Sequence, residues 1–213
     1  MPTIRFERLA DEKKEAICEA IRQEFIRVPY HLISINQIIK NANISRGSFY
    51  TYFVDKDDAV AYVLNESVLT MNKLYLEALE QSQGDFVKML RLVFEAFVEK
   101  SHSDDGQMRM MKTLFFQQNN GEKTVGVIGR KQMESIARSM QKEEFLQKVN
   151  WNCLKRQDET EIRVVTGMGI HILYNAFLQY DRHPEQIDAI RMQLEMQLDI
   201  LRFGIYKTER TDI

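Results

Sequence analysis

The chain has 213 residues with 29 Lys+Arg against 31 Asp+Glu, 44% apolar residues and a pI near 6.1, the composition of a soluble, core-forming protein. Its 9 Gly and 3 Pro are about half the usual share, too little turn chemistry for a strand-rich fold, so an all-helical chain is expected. The net charge of −2 offers no general attraction to nucleic acid or to an acidic membrane, and taken alone it counts against both.

Cys18 and Cys153 stand far apart with no CxxC spacing, so neither a disulfide framework nor a zinc site is expected and a reducing cytoplasm is. No metal and no cofactor is expected. The charged N-terminus (Arg5, Glu7, Arg8, Asp11) lacks the apolar stretch of a signal peptide. The longest uncharged run, 164–180, contains Thr166, His171, Asn175 and Gln179, so it reads as a buried helix and no membrane span is expected.

In chain order, Ala16, Ile17, Ala20, Ile21 and Phe25 recur at helical spacing between Asp11 and Val28, and Pro29 stops that helix. Ser34-Ile35-Asn36-Gln37 has the form of a capping box and opens a short helix from Ile35 to about Asn41. Ala42-Asn43-Ile44 makes the turn, with Asn43 able to take the left-handed conformation. Ser45 caps the next helix, 46–53, and Asp55 with Asp58 starts a long fourth that runs toward Leu79. Gly84-Asp85 marks a break. Helices are predicted at about 85–101, 107–118, 127–141, 143–155, 158–181 and 184–206.

A short helix, a tight turn and a second short helix, braced by an earlier amphipathic one, form a helix-turn-helix. Ile35, Ile38, Ile39, Ile44, Phe49 and Phe53 supply its inner face. Arg46, Ser48, Tyr50, Thr51 and Tyr52 are expected to point outward, with Gly47 allowing close approach, and Ser34 and Ser45 add hydroxyls at the helix starts. Tyr and Ser donate to phosphates and Arg can bridge a guanine, so this set suits a DNA-reading surface. Charge supports it locally: residues 26–56 carry Arg27, Lys40, Arg46 and Lys56 against Asp55, a surplus of +3 that the whole-chain average conceals. So small a surplus predicts a shallow salt dependence.

Residues 17–60, and above all Ile44-Ser45-Arg46-Gly47-Ser48-Phe49-Tyr50-Thr51-Tyr52-Phe53 with Asp55-Lys56, resemble the N-terminal domain of TetR-type regulators. Pro29 and Asn43 depart from the family, standing where glycines are usual. The resemblance implies that helix 45–52 enters the major groove, that Tyr50 and Lys56 hold phosphates, and that Arg46, Gly47, Ser48 and Tyr52 touch bases or backbone. It further implies a domain at 1–57 that binds a double-stranded operator and a helical domain at 58–213 that dimerises and encloses a pocket for a small-molecule effector. Phe116, Trp151, His171 and Tyr174 are the candidate pocket residues.

The last helix carries two apolar stripes, Ile187, Ile190, Leu194, Leu198, Leu201 and Ile205 on one side, Met192, Met196, Ile200 and Phe203 on another. Two stripes suggest burial against its own core and against a second copy, with Gly167 and Gly169 on the preceding helix permitting close approach. A ligand-responsive, cytoplasmic, homodimeric repressor is therefore the expected function. The alternatives are a helical protein-interaction adaptor without DNA contact, and an enzyme, for which the sequence offers no phosphate loop, GxSxG or HExxH.

Overall fold

The computed structural model describes residues 2–102, 106–116, 143–153 and 158–205, and every regular element among them is helical. These are α1 (Ile4–Glu7), α2 (Asp11–Arg27), α3 (Ile35–Asn41), α4 (Arg46–Tyr52), α5 (Lys56–Gln81), α6 (Phe86–Lys100), α7 (Gly106–Phe116), α8 (Glu143–Lys148), α9 (Glu159–Arg182) and α10 (Ile187–Ile205), with 3-10 turns at Tyr30–Leu32, Trp151–Cys153 and Pro184–Gln186. The helix predicted over 127–141 lies outside the described residues. The one predicted over 143–155 ends early, at Lys148, because the chain there turns to other partners. Asn150 N donates to Gly84 O at 2.9 Å and the Trp151 indole to Leu146 O at 2.8 Å. Gly84 in turn is left-handed (φ 82°), and a Cβ on it would lie 2.9 Å from Lys148 O and 3.0 Å from Asn150 N. No described helix is long and apolar enough to cross a membrane.

Two compact units result, Met1–Thr70 with Ser103–Met133 and Met71–His102 with Glu134–Ile213, and α5 passes from one to the other. In the first, α2 buries Ile17, Ala20, Ile21 and Phe25 as its periodicity requires, with Cys18 inward beside them and Ala16 exposed. Helix α7 packs along α2, where Glu19 accepts from Arg22 Nε at 3.0 Å and Gln23 Nε2 at 3.1 Å and pairs with Arg109 at 3.7 Å. Burial pushes the Cys18 thiol up to about 12 against the opposing pull of Arg22, so it is no thiolate at neutral pH. Helix α1 has no counterpart in the sequence reading. Its Phe6 is fully buried with ring centroids 4.8 Å from Phe53, 5.1 Å from Tyr62 and 5.8 Å from Tyr52.

In the second unit α9 packs between α6 and α10. Phe177 lies 4.3 Å from Phe97 and stacks on Phe94 at 6.0 Å. Ile190, Leu194, Leu198 and Leu201 are the buried stripe of α10. Arg191 grips Glu95 through two bonds of 2.9 and 2.7 Å, and Arg91 reaches Glu195 at 2.7 Å, so charged pairs line the edge where α6 meets α10. Gly169 is corrected here: it faces inward, where a Cβ would meet Phe86 Cε1 at 2.7 Å and Leu90 Cδ1 at 2.8 Å, while Gly167 faces open space. Gly169→Val should therefore overpack the α6–α9 contact and cost about 1–3 kcal/mol. Within its own protomer Gly167→Ala meets no neighbouring atom and should be neutral there or gain up to about 1 kcal/mol from helix propensity. Thermal melts of the two variants check this, and equal midpoints would contradict the inward placement.

Candidate nucleic-acid interface

The reading surface is assembled by a buried carboxylate and two capped helix starts. Ser34 stands at the start of α3, but the predicted capping box does not form, since its side chain makes no cap bond. Gln37 turns instead to Asn41 Oδ1 at 2.9 Å. The Ser34 amide is taken by Glu24, ten residues earlier, whose Oε1 accepts it at 3.0 Å while Arg27 donates to both carboxylate oxygens at 2.8 and 2.9 Å. Glu24 is 0% exposed, so this charge is buried and satisfied by three donors. Asn43 adopts φ 50°, the left-handed turn expected of it. Ser45 Oγ accepts from Ser48 N at 3.0 Å and starts α4. Asp55 Oδ1 accepts from Asp58 N at 2.8 Å, Asp58 Oδ2 returns to Val54 N at 3.1 Å, and α5 begins. Pro29 meets no conflict, because the backbone there is extended toward a 3-10 turn and not left-handed.

Phe49 and Phe53 are fully buried on the inner side of α4. On the outer side Tyr50 is 46% exposed, and Ser45, Arg46 and Gly47 are exposed with Ser48 and Thr51 half-buried beside them. Thr51 Oγ1 donates to Gly47 O at 2.9 Å. Tyr52 is corrected: it is only 8% exposed, its ring edge-on to Phe6, while Thr3 N donates to its carbonyl at 3.0 Å. Arg46 Nη1 donates to Asn36 Oδ1 at 2.7 Å and its guanidinium lies 5.7 Å from the Tyr50 ring centroid. Lys56 Nζ bonds back to the carbonyls of His31 at 3.2 Å and Tyr30 at 3.4 Å and sits 5.6 Å from the Tyr30 ring, so it pins the 3-10 turn next to the start of α5. Burial, with help from Asp57, pushes the Tyr30 hydroxyl up to about 12, which keeps it a neutral donor.

The four candidate pocket residues do not share one described cavity. The Phe116 side chain lies outside the described residues. Trp151 packs at 6.1 Å on Phe86, His171 is exposed on α9, and Tyr174 is half-buried, its hydroxyl pushed up by burial. A groove of about 700 Å³ between α9 and α10 is lined by Val164, Met168, Ile200, Leu201 and Gly204 with Asp158 and Glu161, and by none of the four. That groove belongs to a larger apolar face on which Met192, Met196, Ile200 (72% exposed) and Phe203 (66%) all stand out.

Residues 17–63 match the family model described as bacterial regulatory proteins, tetR family. The HTH-type transcriptional regulator AcrR of Shigella flexneri is 24% identical over 106 residues, 50% of this chain and 49% of that protein. An uncharacterized HTH-type transcriptional regulator of Bacillus subtilis, YwcC, is 35% identical over 63 residues, 30% of this chain and 28% of that protein. The match thus spans about half the length of one curated relative and under a third of the other. Among solved structures, the SmeT–triclosan complex superposes with a TM-score of 0.68 at 15% identity over 93% of this chain and 94% of that one. A structure of SmeT from Stenotrophomonas maltophilia gives 0.55 at 17% identity over 96% and 94%. The shared fold extends over both units.

Proposed function

We propose that this chain, whose residues 17–63 form a TetR-type N-terminal domain, is a dimeric, sequence-specific DNA-binding repressor released from its operator by a small molecule. The observation that carries the reading is the outer face of α4, where Arg46 and Tyr50 stand exposed over a fully buried Phe49 and Phe53. An arginine and a tyrosine side by side on the exposed face of a two-turn helix suit phosphates and base edges. Residues 1–57 would do the reading and 58–213 the dimerising and the sensing. Tyr50 and Lys56 would hold phosphates, with Ser34, Ser45, Ser48 and Thr51 adding hydroxyl contacts. Arg46, on the exposed start of α4, would reach bases, and Gly47 would let the backbone come close. Tyr52 would act through its carbonyl and its packing on Phe6 and not through an outward hydroxyl.

Twofold pairing through Gly167, Met192, Met196, Ile200 and Phe203 would present two copies of α4 to half-sites about 34–36 Å apart. The exposed apolar face of α9 and α10 supports that reading. A solved relative named as the repressor of the multidrug efflux pump SmeDEF, also solved with triclosan, supports repression relieved by a ligand. Ligand would favour a conformer whose two readers miss their half-sites, a shift of population in the sense of linked equilibria. Of the four candidates, the half-buried Trp151 and Tyr174 of the second unit remain the proposed lining.

Fluorescence anisotropy with duplex DNA at rising salt tests the reader. Salt-sensitive binding should be weakened at least tenfold by Tyr50→Ala with Lys56→Ala, since two phosphate contacts are removed from each half-site. Full retention of binding in the double variant would sink the assignment. Selection from a random duplex library would then give the operator.

A further inference from the structure

We infer that Asn36 is a positioning residue for base recognition: it holds the Arg46 guanidinium, across the turn between α3 and α4, in the orientation that reads a guanine in each half-site. The inference rests on the DNA-reading function proposed above. Asn36 is exposed in the first turn of α3, ten residues before Arg46 in the first turn of α4, and its Oδ1 accepts from Arg46 Nη1 at 2.7 Å. Arg46 has no acceptor, so the carboxamide must turn its oxygen to the guanidinium and the orientation of the Asn36 amide is forced. On its other side the guanidinium lies 5.7 Å from the Tyr50 ring centroid, with Nη2 3.5 Å from the Tyr50 hydroxyl. The side chain is thus held from both helices of the motif.

An arginine in water samples many rotamers, and a base contact made from that ensemble must first select one. The planar fork loses less on binding when its plane is fixed beforehand. Here the bonds to Asn36 and Tyr50 use one N–H on each terminal nitrogen. One N–H on each of Nη1 and Nη2 is left over, together with Nε–H, which suffices for the paired bonds an arginine makes to O6 and N7 of guanine. The sequence alone does not single out Asn36, and its role is visible only through its partner Arg46.

The test is a ratio of affinities, the selected operator against duplexes in which each guanine of the half-site is replaced in turn. In the wild-type chain one guanine should dominate that ratio. Arg46→Ala should abolish the dependence on that guanine, and Asn36→Ala should reduce it about 3–10-fold. Asn36→Asp keeps the oxygen that Arg46 grips, so the guanine dependence should survive while the added negative charge weakens all duplexes together. Asn36→Ala on top of Arg46→Ala should change the ratio no further. Melting midpoints of each variant report the fold separately. A ratio in Asn36→Ala equal to wild type, or an Asn36→Ala effect that persists without Arg46, overturns the inference while leaving DNA reading in place. A wild-type chain that discriminates among no duplexes overturns the DNA reading and this inference with it.

Discussion

Ile200→Asp with Phe203→Asp should convert the chain to a monomer and lower operator affinity by at least about a hundredfold. Both side chains are exposed, 72% and 66%, and the stripe that α10 buries in its own unit is a different one, through Ile190, Leu194, Leu198 and Leu201. The substitutions therefore leave the protomer's packing untouched and place charge only where a second copy would sit. Like charges meeting across a twofold axis repel, and each carboxylate would lose water on assembly without gaining a partner. Once the two readers are unlinked, the second half-site no longer benefits from the first, and avidity of the order of 10²–10⁴ disappears. Sedimentation velocity gives the mass and anisotropy the affinity. Leu194→Asp is the contrasting variant, since that residue is buried and its substitution should unfold the unit. A double variant that sediments as a dimer would place the interface elsewhere.

Glu24→Ala should cost about 2–3 kcal/mol and lower the melting midpoint by roughly 5–10 °C. The carboxylate has no exposure and three donors, two from Arg27 and one from the Ser34 amide. Arg27 can turn to solvent when the acid is gone, because its side chain is already more than half exposed. The Ser34 amide loses the acceptor that fixes the start of α3, and an unsatisfied donor costs about 1–3 kcal/mol. Glu24→Gln keeps an oxygen of the same reach for that amide, so it should lose less than half as much. Differential scanning calorimetry of the pair separates the outcomes, and an alanine variant that melts within a degree of wild type would show that α3 is held by other means. Because α3 carries Asn36, a loosened start should also blunt recognition.

Much of the reader could be predicted from the sequence because its elements are bounded by local chemistry. Ser45 and Asp55 cap where their spacing to the following amides says they should, and Asn43 takes the left-handed turn. These signals act within four residues and need no knowledge of the fold. Ser34 shows the limit of that logic. Its capping box is chemically sound, yet a carboxylate from α2 takes the amide, and only the tertiary structure brings Glu24 there. Tyr52 was misplaced for a related reason. It lies three residues after Phe49 and so shares the inner side of α4, and what covers it is Phe6 on α1, a helix too short to leave a periodic trace. Gly167 and Gly169 look like a pair in the sequence, but two residues are about 200° around a helix, so they cannot serve the same face. The pocket was the least legible, since aromatic residues at helical spacing describe core and cavity alike; Trp151 and His171 show the ambiguity, one packed on Phe86 and the other exposed.

Gly84 carries a consequence for how this protein can change over generations. Its φ of 82° suits glycine, a Cβ would press on the backbone at Lys148 and Asn150, and its own carbonyl is bonded to Asn150 N. Backbone atoms cannot be traded for smaller ones by a neighbouring substitution, as a crowding side chain could be. Any other residue at 84 must therefore displace the stretch from 148 to 150 in the same step, so drift at this codon is coupled to change in that distant turn.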